Sequence, residues 1–440
     1  MPLLRRKRKP EPVVEEPEAP KLPDPPEPGA GGLRAMADHR AYLLSCIEPL
    51  PPFGQQILDS VGLSLCEDVV AGVSMPRFDN SAMDGYAVRA ADVQNATEQT
   101  PVSLPVVGEV QAGSPAPHTL SPGTAMKIMT GAALPEGADA IVPYEATDRG
   151  AEDVRINEPS INGQHVRRVG EDVNEGDTVL RAGDRLTSRS IGLLAAIGVD
   201  QVMVRPRPRV VVVSTGSELV EPGLALQNDQ QIYDSNSYML AAAAKAAGAQ
   251  VFRVGRVPDD PAQLKQVISD QLVRADLILT TGGVSQGDYD IVKQVLPELG
   301  PCDFSGVAMQ PGKPQGFGLI GEDQTPIIMM PGNPVSAFVS FEAFVRPVLR
   351  KLAGVEPFVR PTVRLTAARA ITSVPGKLQF ARGVVRTDDQ GHRTVDLAGG
   401  HGSHLLGGLS LSDALLLIDE ETDFVAAGDE IDCWLLGEDN

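Results

Sequence analysis

ADLILTTGGVSQGDYD, residues 275–290, joins a short apolar run to glycines, hydroxyls and carboxylates. The apolar residues are continuous rather than alternating, which is typical of a parallel strand covered on both faces. Gly282 and Gly283 end the run and allow backbone to approach a ligand closely. Because ligands of open α/β sheets bind outside the carboxyl ends of the strands, we expect Ser285, Asp288 and Asp290 at a binding site. A single loop of this kind is better explained as an ordinary βα connection.

Three further stretches repeat this arrangement of an apolar run followed by small, hydroxyl or charged residues. They are PRVVVVSTGSELV (208–220), FSGVAMQPGKPQG (304–316) and PIIMMPGNPVS (326–336). Helical patterns lie between them: Asp260 and Pro261 predict the start of one helix, and apolar residues spaced along 338–352 predict another that ends at Gly354. Together these patterns predict a doubly wound α/β domain with a ligand site at its strand ends.

The composition limits the possible functions of the chain. With 440 residues and 42% hydrophobic content, we expect several domains. The net charge of −20 argues against nucleic acid as a partner, since phosphate binding needs a basic surface. The four cysteines have neither metal-ligand spacing nor a paired framework, and no run of about 18 apolar residues is present. We therefore expect a cytoplasmic protein with reduced thiols.

The two ends of the chain differ from its middle. Residues 1–32 combine RRKRK with a Pro/Glu-rich segment and GAGG, which predicts a disordered tail; docking of a partner by its charged clusters is the open alternative. A helix is predicted from Met36 to the prolines after Ile47. Strand patterns broken by Gly and Pro predict small β domains near 76–160 and 363–436, the second being a small barrel or sandwich. His392, His401 and His404 lack Cys or acidic partners and do not favour a metal site.

Eight motifs occur in one order along the chain. They are PxFDNSAMDGYA, GExxAG, TGAxLPxGADA, VRxxGEDxxxG, STGxELV, TTGGVSxGxxD, PGKP and PGNPVS. In this combination the sequence resembles the molybdopterin molybdenumtransferases, the family that makes molybdenum cofactor and includes the E domain of gephyrin. The resemblance covers about residues 36–436.

The resemblance implies four subdomains and an elongated homodimer. Their expected bounds are 33–75 with 161–185 for an elongated N-terminal subdomain, 76–160 for an inserted β subdomain, 186–354 for the α/β molybdopterin-binding subdomain, and 355–440 for the C-terminal β subdomain. In the family, the active site lies where the α/β and C-terminal subdomains of one chain meet the inserted subdomain of the other.

The implied reaction takes adenylylated molybdopterin and molybdate, uses Mg²⁺ and releases AMP. The matched Mg²⁺ ligands are Asp259 and Asp290, since magnesium needs few carboxylates and completes its shell with water and phosphate oxygens. The positions matched to molybdate are Ser285, Lys313, Ser336, Arg382 and Ser403. Further matched positions in cofactor binding are Thr130, Thr215, Gly282, Gly283, Gly287, Pro331 and Asn333. Asp84 and Glu218 match catalytic positions, although Glu218 is equally explained as a residue that holds a loop.

One position departs from the family pattern. Gln310 stands in QPGKP where many relatives have KPGKP, so one positive charge is missing, and we expect a working but weaker molybdate site. The resemblance is also compatible with two further functions. The first is a gephyrin-like scaffold that docks a peptide of a membrane or cytoskeletal protein, and the second is insertion of tungstate in place of molybdate. A molybdopterin adenylyltransferase and molybdoenzymes are the remaining implied partners.

Overall fold

The computed structural model describes residues 21–114, 119–284, 290–400 and 402–437. The chain divides into two compact units: the described residues of Met1–Pro51 with Arg205–Asn440, and those of Pro52–Val204. The first is called the main unit and the second the N-terminal unit. Strands and helices are numbered separately in chain order, beginning with α1 (Met36–Ser45), which belongs to the main unit.

The N-terminal unit is built from short strands. Its elements are β1 (Phe53–Gln56), β2 (Val69–Val70), β3 (Asn80–Ser81), β4 (Gly85–Val88), α2 (Ala90–Val93), β5 (Val102–Val110), β6 (Ala125–Ile128), β7 (Ala140–Pro143), β8 (Asp153–Ile156), β9 (Val166–Arg167), β10 (Thr178–Leu180), α3 (Ser188–Ala196) and β11 (Gln201–Val204). One sheet has the order β7-β4-β6-β5-β8, and the pairs β1-β11, β10-β2 and β3-β9 lie outside it. Fully buried residues such as Tyr86 and Ile141 form cores on this sheet, so the predicted inserted region has its own hydrophobic interior.

The main unit continues with an α/β region and a β region. Its further elements are β12 (Arg209–Thr215), β13 (Leu219–Val220), β14 (Ile232–Tyr233), α4 (Asn236–Ala246), β15 (Gln250–Val257), α5 (Pro261–Leu272), β16 (Leu277–Thr281), α6 (Ile291–Val295), β17 (Cys302–Gly306), β18 (Met309–Gln310), β19 (Pro314–Ile320), β20 (Thr325–Met330), α7 (Pro334–Ser340), α8 (Arg346–Leu352), β21 (Val363–Ala367), β22 (Ile371–Thr372), β23 (Leu378–Thr387), β24 (Arg393–Leu397), α9 (Leu406–Ser410), β25 (Ala414–Ile418), β26 (Phe424–Val425) and β27 (Glu430–Leu435). A π-helical turn, Phe341–Val345, joins α7 to α8.

The central sheet of the main unit has the order β15-β12-β16-β20-β19-β17. Strands β15, β12, β16 and β20 are parallel, whereas β19 runs antiparallel to both of its neighbours. Successive residues of β16 enter different cores: Leu277 and Leu279 pack with α4 and the α7–α8 helix, while Ile278 packs with α5 and α6. The continuous apolar strands therefore face helices on both sides, which confirms the predicted α/β region.

The predicted helix signals act as expected in this region. The side chain of Asp260 accepts a 2.8 Å hydrogen bond from the backbone N of Gln263, and Pro261 is the first residue of α5. The apolar face of the later helix is buried, and Gly354 follows it with φ 65°.

The C-terminal region is a closed barrel rather than a sandwich. Its strands follow the order β23-β24-β21-β27-β25, and β25 also pairs with β23. Arg360 ties the barrel to the α/β region, since its side chain bonds Glu342 at 2.6 Å and the carbonyl of Leu435 at 2.9 Å.

Two segments pack elsewhere than the predicted subdomain bounds place them. Met36, Tyr42 and Leu43 of α1 enter the core of the main unit, because this helix lies against α8 and its neighbouring turn. Conversely, α3 packs in the N-terminal unit through Leu194, together with residues from 63–75 and 173–180. Leu22, within the predicted tail, is partly buried against the main core, and residues 1–20 lie outside the described part.

Candidate functional site

A pocket of about 330 Å³ lies at the carboxyl ends of β12, β16 and β20. This is the edge of the sheet at which the sequence predicts a ligand, and the volume is typical of a small-molecule site. Four predicted positions line it, namely Thr215, Glu218, Gly282 and Asn333. We call it the strand-end pocket.

The glycines at this edge are required by geometry. Gly282 has φ 92°, and a Cβ there would lie 2.9 Å from Thr215 Oγ1. Gly283 has φ 68°, and a Cβ there would lie 2.4 Å from Cγ2 of Val292 at the start of α6. Only glycine lets the chain leave β16 at this angle and pack so closely. Pro331 contributes a carbonyl that accepts from Thr281 Oγ1 at 3.3 Å.

Two residues that the sequence analysis missed hold the strand ends together. The buried carboxylate of Asp234 accepts from Ser214 Oγ at 3.1 Å and from Ser237 Oγ at 2.6 Å. Asn236 Nδ2 donates to Thr281 Oγ1 at 3.0 Å and to the carbonyl of Gly332 at 2.6 Å. Both residues line the pocket. The signal was the run YDSN directly before a helical pattern, since Asp, Ser and Asn favour helix starts.

The two predicted metal ligands have different surroundings. Asp290 precedes α6, and its Oδ2 is buried with no hydrogen-bond partner among the described residues. Asp259 follows β15, is exposed, and its Oδ2 accepts a 2.9 Å bond from the backbone N of Ser217. Strands β15 and β16 both flank β12, so their ends are about 10 Å apart.

The surroundings of Asp290 fit a cation such as magnesium. A buried carboxylate oxygen without a donor is unfavourable, and a cation would satisfy Oδ2 of Asp290. In the described part of the chain, no group of three or more His, Cys, Asp or Glu is arranged to hold a metal. Few protein ligands are usual for Mg²⁺, which keeps several waters and binds substrate phosphates.

Residues 307–313, called the 307–313 loop, connect β17 to β19 at the same edge of the sheet. Gln310 belongs to β18, which pairs with β23 of the barrel, and the carbonyl of Lys313 accepts from Val307 N at 2.7 Å. Gln310 and Arg382 both line a small cavity of about 20 Å³. The loop therefore places Lys313, one predicted cation, beside the sheet. It places Gln310 beside Arg382, the other predicted cation.

Arg382 organises the neighbouring loop of the barrel. Only 5% of this residue is exposed, and its guanidinium donates to the carbonyls of Leu405, at 2.7 Å, and Gly400. Burial lowers the pKa of Arg382 from its usual value. The same loop reaches α7, because the carbonyl of Ser403 accepts from Val335 N at 3.1 Å. Ser336, the next residue of α7, is buried with 4% exposed.

Asp84, Thr130 and Glu218 each contact a residue of their own unit. In the N-terminal unit, Asp84 Oδ1 accepts from Thr130 N at 2.7 Å and from Thr130 Oγ1 at 2.9 Å, and the backbone bond is the main cause of the lowered pKa of Asp84. Glu218 lies against Gly216, where a Cβ would be 2.6 Å from its carboxylate. Ser285, Gly287, Asp288 and His401 lie outside the described residues.

The fold and site define a multidomain α/β protein with a small-molecule pocket at its strand ends. Family models match residues 34–198 as the MoeA N-terminal region (domains I and II), 211–351 as a probable molybdopterin binding domain, and 364–436 as the MoeA C-terminal region (domain IV). The chain is 46% identical to molybdopterin molybdenumtransferase 2 of Mycobacterium tuberculosis over 91% of its length and 99% of the relative's. It is 36% identical to the molybdopterin molybdenumtransferase of Haemophilus influenzae, with 83% and 89% covered.

A solved structure of a molybdopterin biosynthesis MoeA protein from Pyrococcus horikoshii superposes with a TM-score of 0.78 at 30% identity, covering 92% of this chain and 100% of that one. The chain belongs to the molybdopterin molybdenumtransferase family, whose members are transferases of molybdenum cofactor biosynthesis. The predicted family and fold class are thereby confirmed. In the described part of the chain, no helix is long and apolar enough to cross a membrane.

Proposed function

We propose that this chain inserts molybdate into adenylylated molybdopterin and releases AMP in a Mg²⁺-dependent reaction. The observation that carries the proposal is the strand-end pocket, which is lined by Gly282, Gly332, Thr215 and Asn333. Asp290 directly precedes α6, the helix after β16. A pocket at this edge of the sheet accommodates a ligand with phosphates, because the glycines let backbone approach it closely.

The chemistry of each residue indicates its role in the proposed reaction. Asp290 and Asp259 would hold Mg²⁺, which neutralises phosphate charge as the pyrophosphate bond breaks. Lys313 and Arg382 attract the molybdate dianion, with Ser285, Ser336 and Ser403 as the matched hydroxyls. Asp234 and Asn236 hold the three strand ends at fixed spacing through the bonds described above. Glu218 keeps the turn at Gly216 in place.

We further propose that a homodimer completes the site with Asp84 and Thr130 of the N-terminal unit. The support is their mutual pairing on an exposed surface, together with the family resemblance. Co-expression of Asp84→Asn with Asp290→Asn tests this arrangement. If each site combines two chains, half of the dimers contain one intact site, and about a quarter of wild-type activity returns. If each site lies within one chain, no activity returns.

The direct test of the reaction uses purified protein with adenylylated molybdopterin, molybdate and Mg²⁺, and measures AMP. AMP release that needs both molybdate and Mg²⁺ supports the proposal, and its absence contradicts it. A parallel reaction with tungstate measures which oxyanion is used. The scaffold hypothesis stays a prediction, since no observation on the described residues favours it.

A further inference from the structure

A segment far from the site in sequence lies alongside the 307–313 loop. Arg34 N donates to the carbonyl of Gly306 at 2.9 Å, and its own carbonyl accepts from Ala308 N at 2.8 Å. Arg34 and Val307 thereby form a parallel bridge outside the named strands. Leu33 and Arg34 are called the N-terminal strap.

The strap is anchored by a buried ion pair. The Arg34 guanidinium donates to both carboxylate oxygens of Asp303 on β17, with Nη2 3.0 Å from Oδ1, and the side chains are 8% and 15% exposed. The same guanidinium lies 5.9 Å from the centre of the Tyr42 ring on α1. A paired arginine at this depth cannot move without leaving Asp303 unpaired, so the strap has a defined position.

Leu33 of the strap and the side chain of Lys313 lie close to the same residue, Gly306. A Cβ placed on Gly306 would lie 2.7 Å from Leu33 Cδ2 and 3.6 Å from Lys313 Cε. The leucine side chain and the lysine stem therefore both approach this glycine. Movement of Leu33 would open space beside Gly306, next to the lysine stem.

The barrel holds the same peptide from another side. The carbonyl of Ala308 accepts from Leu378 N at 3.0 Å, while its N–H is bonded to Arg34. One residue of the loop is thus bonded to both the strap and the barrel. With the strap removed, the bond to Leu378 and the pairing of β18 would still hold the barrel side.

We propose that the N-terminal strap is a positioning element for Lys313, and that it sets the affinity of the 307–313 loop for the oxyanion without contacting the ligand. The effect on affinity rests on the proposed function, whereas the positioning does not. Arg34 is therefore a positioning residue, with Asp303 as its anchor.

The test compares Arg34→Ala with the control Arg209→Ala. Arg209 makes a similar two-bond contact with Asp276, through Nε at 3.1 Å and Nη2 at 2.7 Å, at the amino ends of β12 and β16. Hydrogen exchange of the peptide 306–313 is measured in the full-length variants. We expect at least tenfold faster exchange in Arg34→Ala, little change in Arg209→Ala, and partial rescue in Arg34→Lys.

Molybdate titration of AMP release supplies the second readout. We expect Arg34→Ala to raise the half-saturating molybdate concentration about tenfold, with the maximal rate retained at high molybdate. Unchanged exchange in 306–313 overturns the positioning, and faster exchange with an unchanged half-saturation overturns the effect on affinity. If Arg34→Ala does not fold, Asp303→Asn and Leu33→Ala are judged by the same two outcomes. Absence of AMP release by wild type contradicts the proposed function, while the exchange result still decides the positioning.

Discussion

The strand-end pocket and the 307–313 loop lie at the same edge of one sheet but are held differently. In the pocket, Asp234 and Asn236 form hydrogen bonds with groups at the ends of adjoining strands. The sheet itself therefore sets the distances between the residues of the pocket. The loop depends on segments remote in sequence: Arg34 precedes its anchor Asp303 by 269 residues, and Leu378 belongs to the barrel. We infer that the pocket is rigid and that the loop can be adjusted without disturbing the sheet.

The largest effect is expected for Asp290, which precedes α6. Asp290→Asn keeps the size of the side chain but removes the charge that would hold Mg²⁺, so we expect the maximal rate to fall on the order of 100-fold. We expect Asp259→Asn to lower the maximal rate as well. The measurement is AMP release over a Mg²⁺ series, with exposed Asp323→Asn as control. Full activity of Asp290→Asn at low Mg²⁺ would remove this carboxylate from the metal site.

The second-largest effect is expected for Lys313 of the 307–313 loop. Lys313→Ala removes a charged donor worth roughly 1.5–3 kcal/mol, so we expect the half-saturating molybdate concentration to rise about 10- to 100-fold. Lys265→Ala on α5 is a surface control, because its partner Glu298 is also exposed. A neutral Lys313→Ala would mean that the loop does not bind the oxyanion.

A third prediction concerns the pH dependence of stability near the strap. Burial, with a smaller contribution from Arg34, lowers the pKa of His39 to about 4 from 6.5. Because the unfolded chain binds the proton more tightly, stability from neutral His39 is complete above about pH 6.5 and declines toward pH 4, by roughly 3 kcal/mol. Urea unfolding of wild type and His39→Gln at pH 7 and pH 4.5 measures this loss of stability. Equal pH dependence in both proteins would exclude this contribution.

A smaller gain is expected from restoring the family's lysine. Gln310→Lys adds a charged donor in place of an amide, which we expect to lower the half-saturating molybdate concentration about tenfold with little change in maximal rate. Gln310 shares its small cavity with Arg382, so repulsion between the two cations acts against this gain. A midpoint that does not move would show that position 310 does not face the oxyanion.

The smallest effect is expected at the amino terminus. The sequence predicts that deletion of residues 1–32 leaves melting temperature and activity unchanged, yet Leu22 packs partly buried on the main core. We therefore expect deletion of residues 1–32 to cost about 1 kcal/mol of stability with activity retained. Thermal unfolding of this deletion beside a deletion of residues 1–20 isolates the contribution of residues 21–32, which include Leu22.

The sequence predicts the sheet and its ligand edge, but it does not predict the long-range contacts that support the 307–313 loop. Continuous apolar strands ending in Gly, Thr or Ser indicate the sheet and its ligand edge, because these signals are local. The packing of α1 on the main unit is not predictable in this way, since it rests on contacts between Tyr42 and Phe317 that are distant in sequence. The bond of Arg382 to Leu405 likewise follows from barrel closure. Sequence patterns place residues on elements, whereas long-range packing determines which element supports another.

Turnover depends on Asp290 at the start of α6, whereas oxyanion affinity depends on the 307–313 loop. One molybdate titration of AMP release by wild type, Asp290→Asn and Lys313→Ala at fixed Mg²⁺ and ionic strength tests this division of roles most directly. We expect Asp290→Asn to lower the maximal rate with a nearly unchanged midpoint, and Lys313→Ala to shift the midpoint upward while high molybdate restores the rate. If both variants lose maximal rate with the same midpoint, the division of roles between Asp290 and the loop is contradicted.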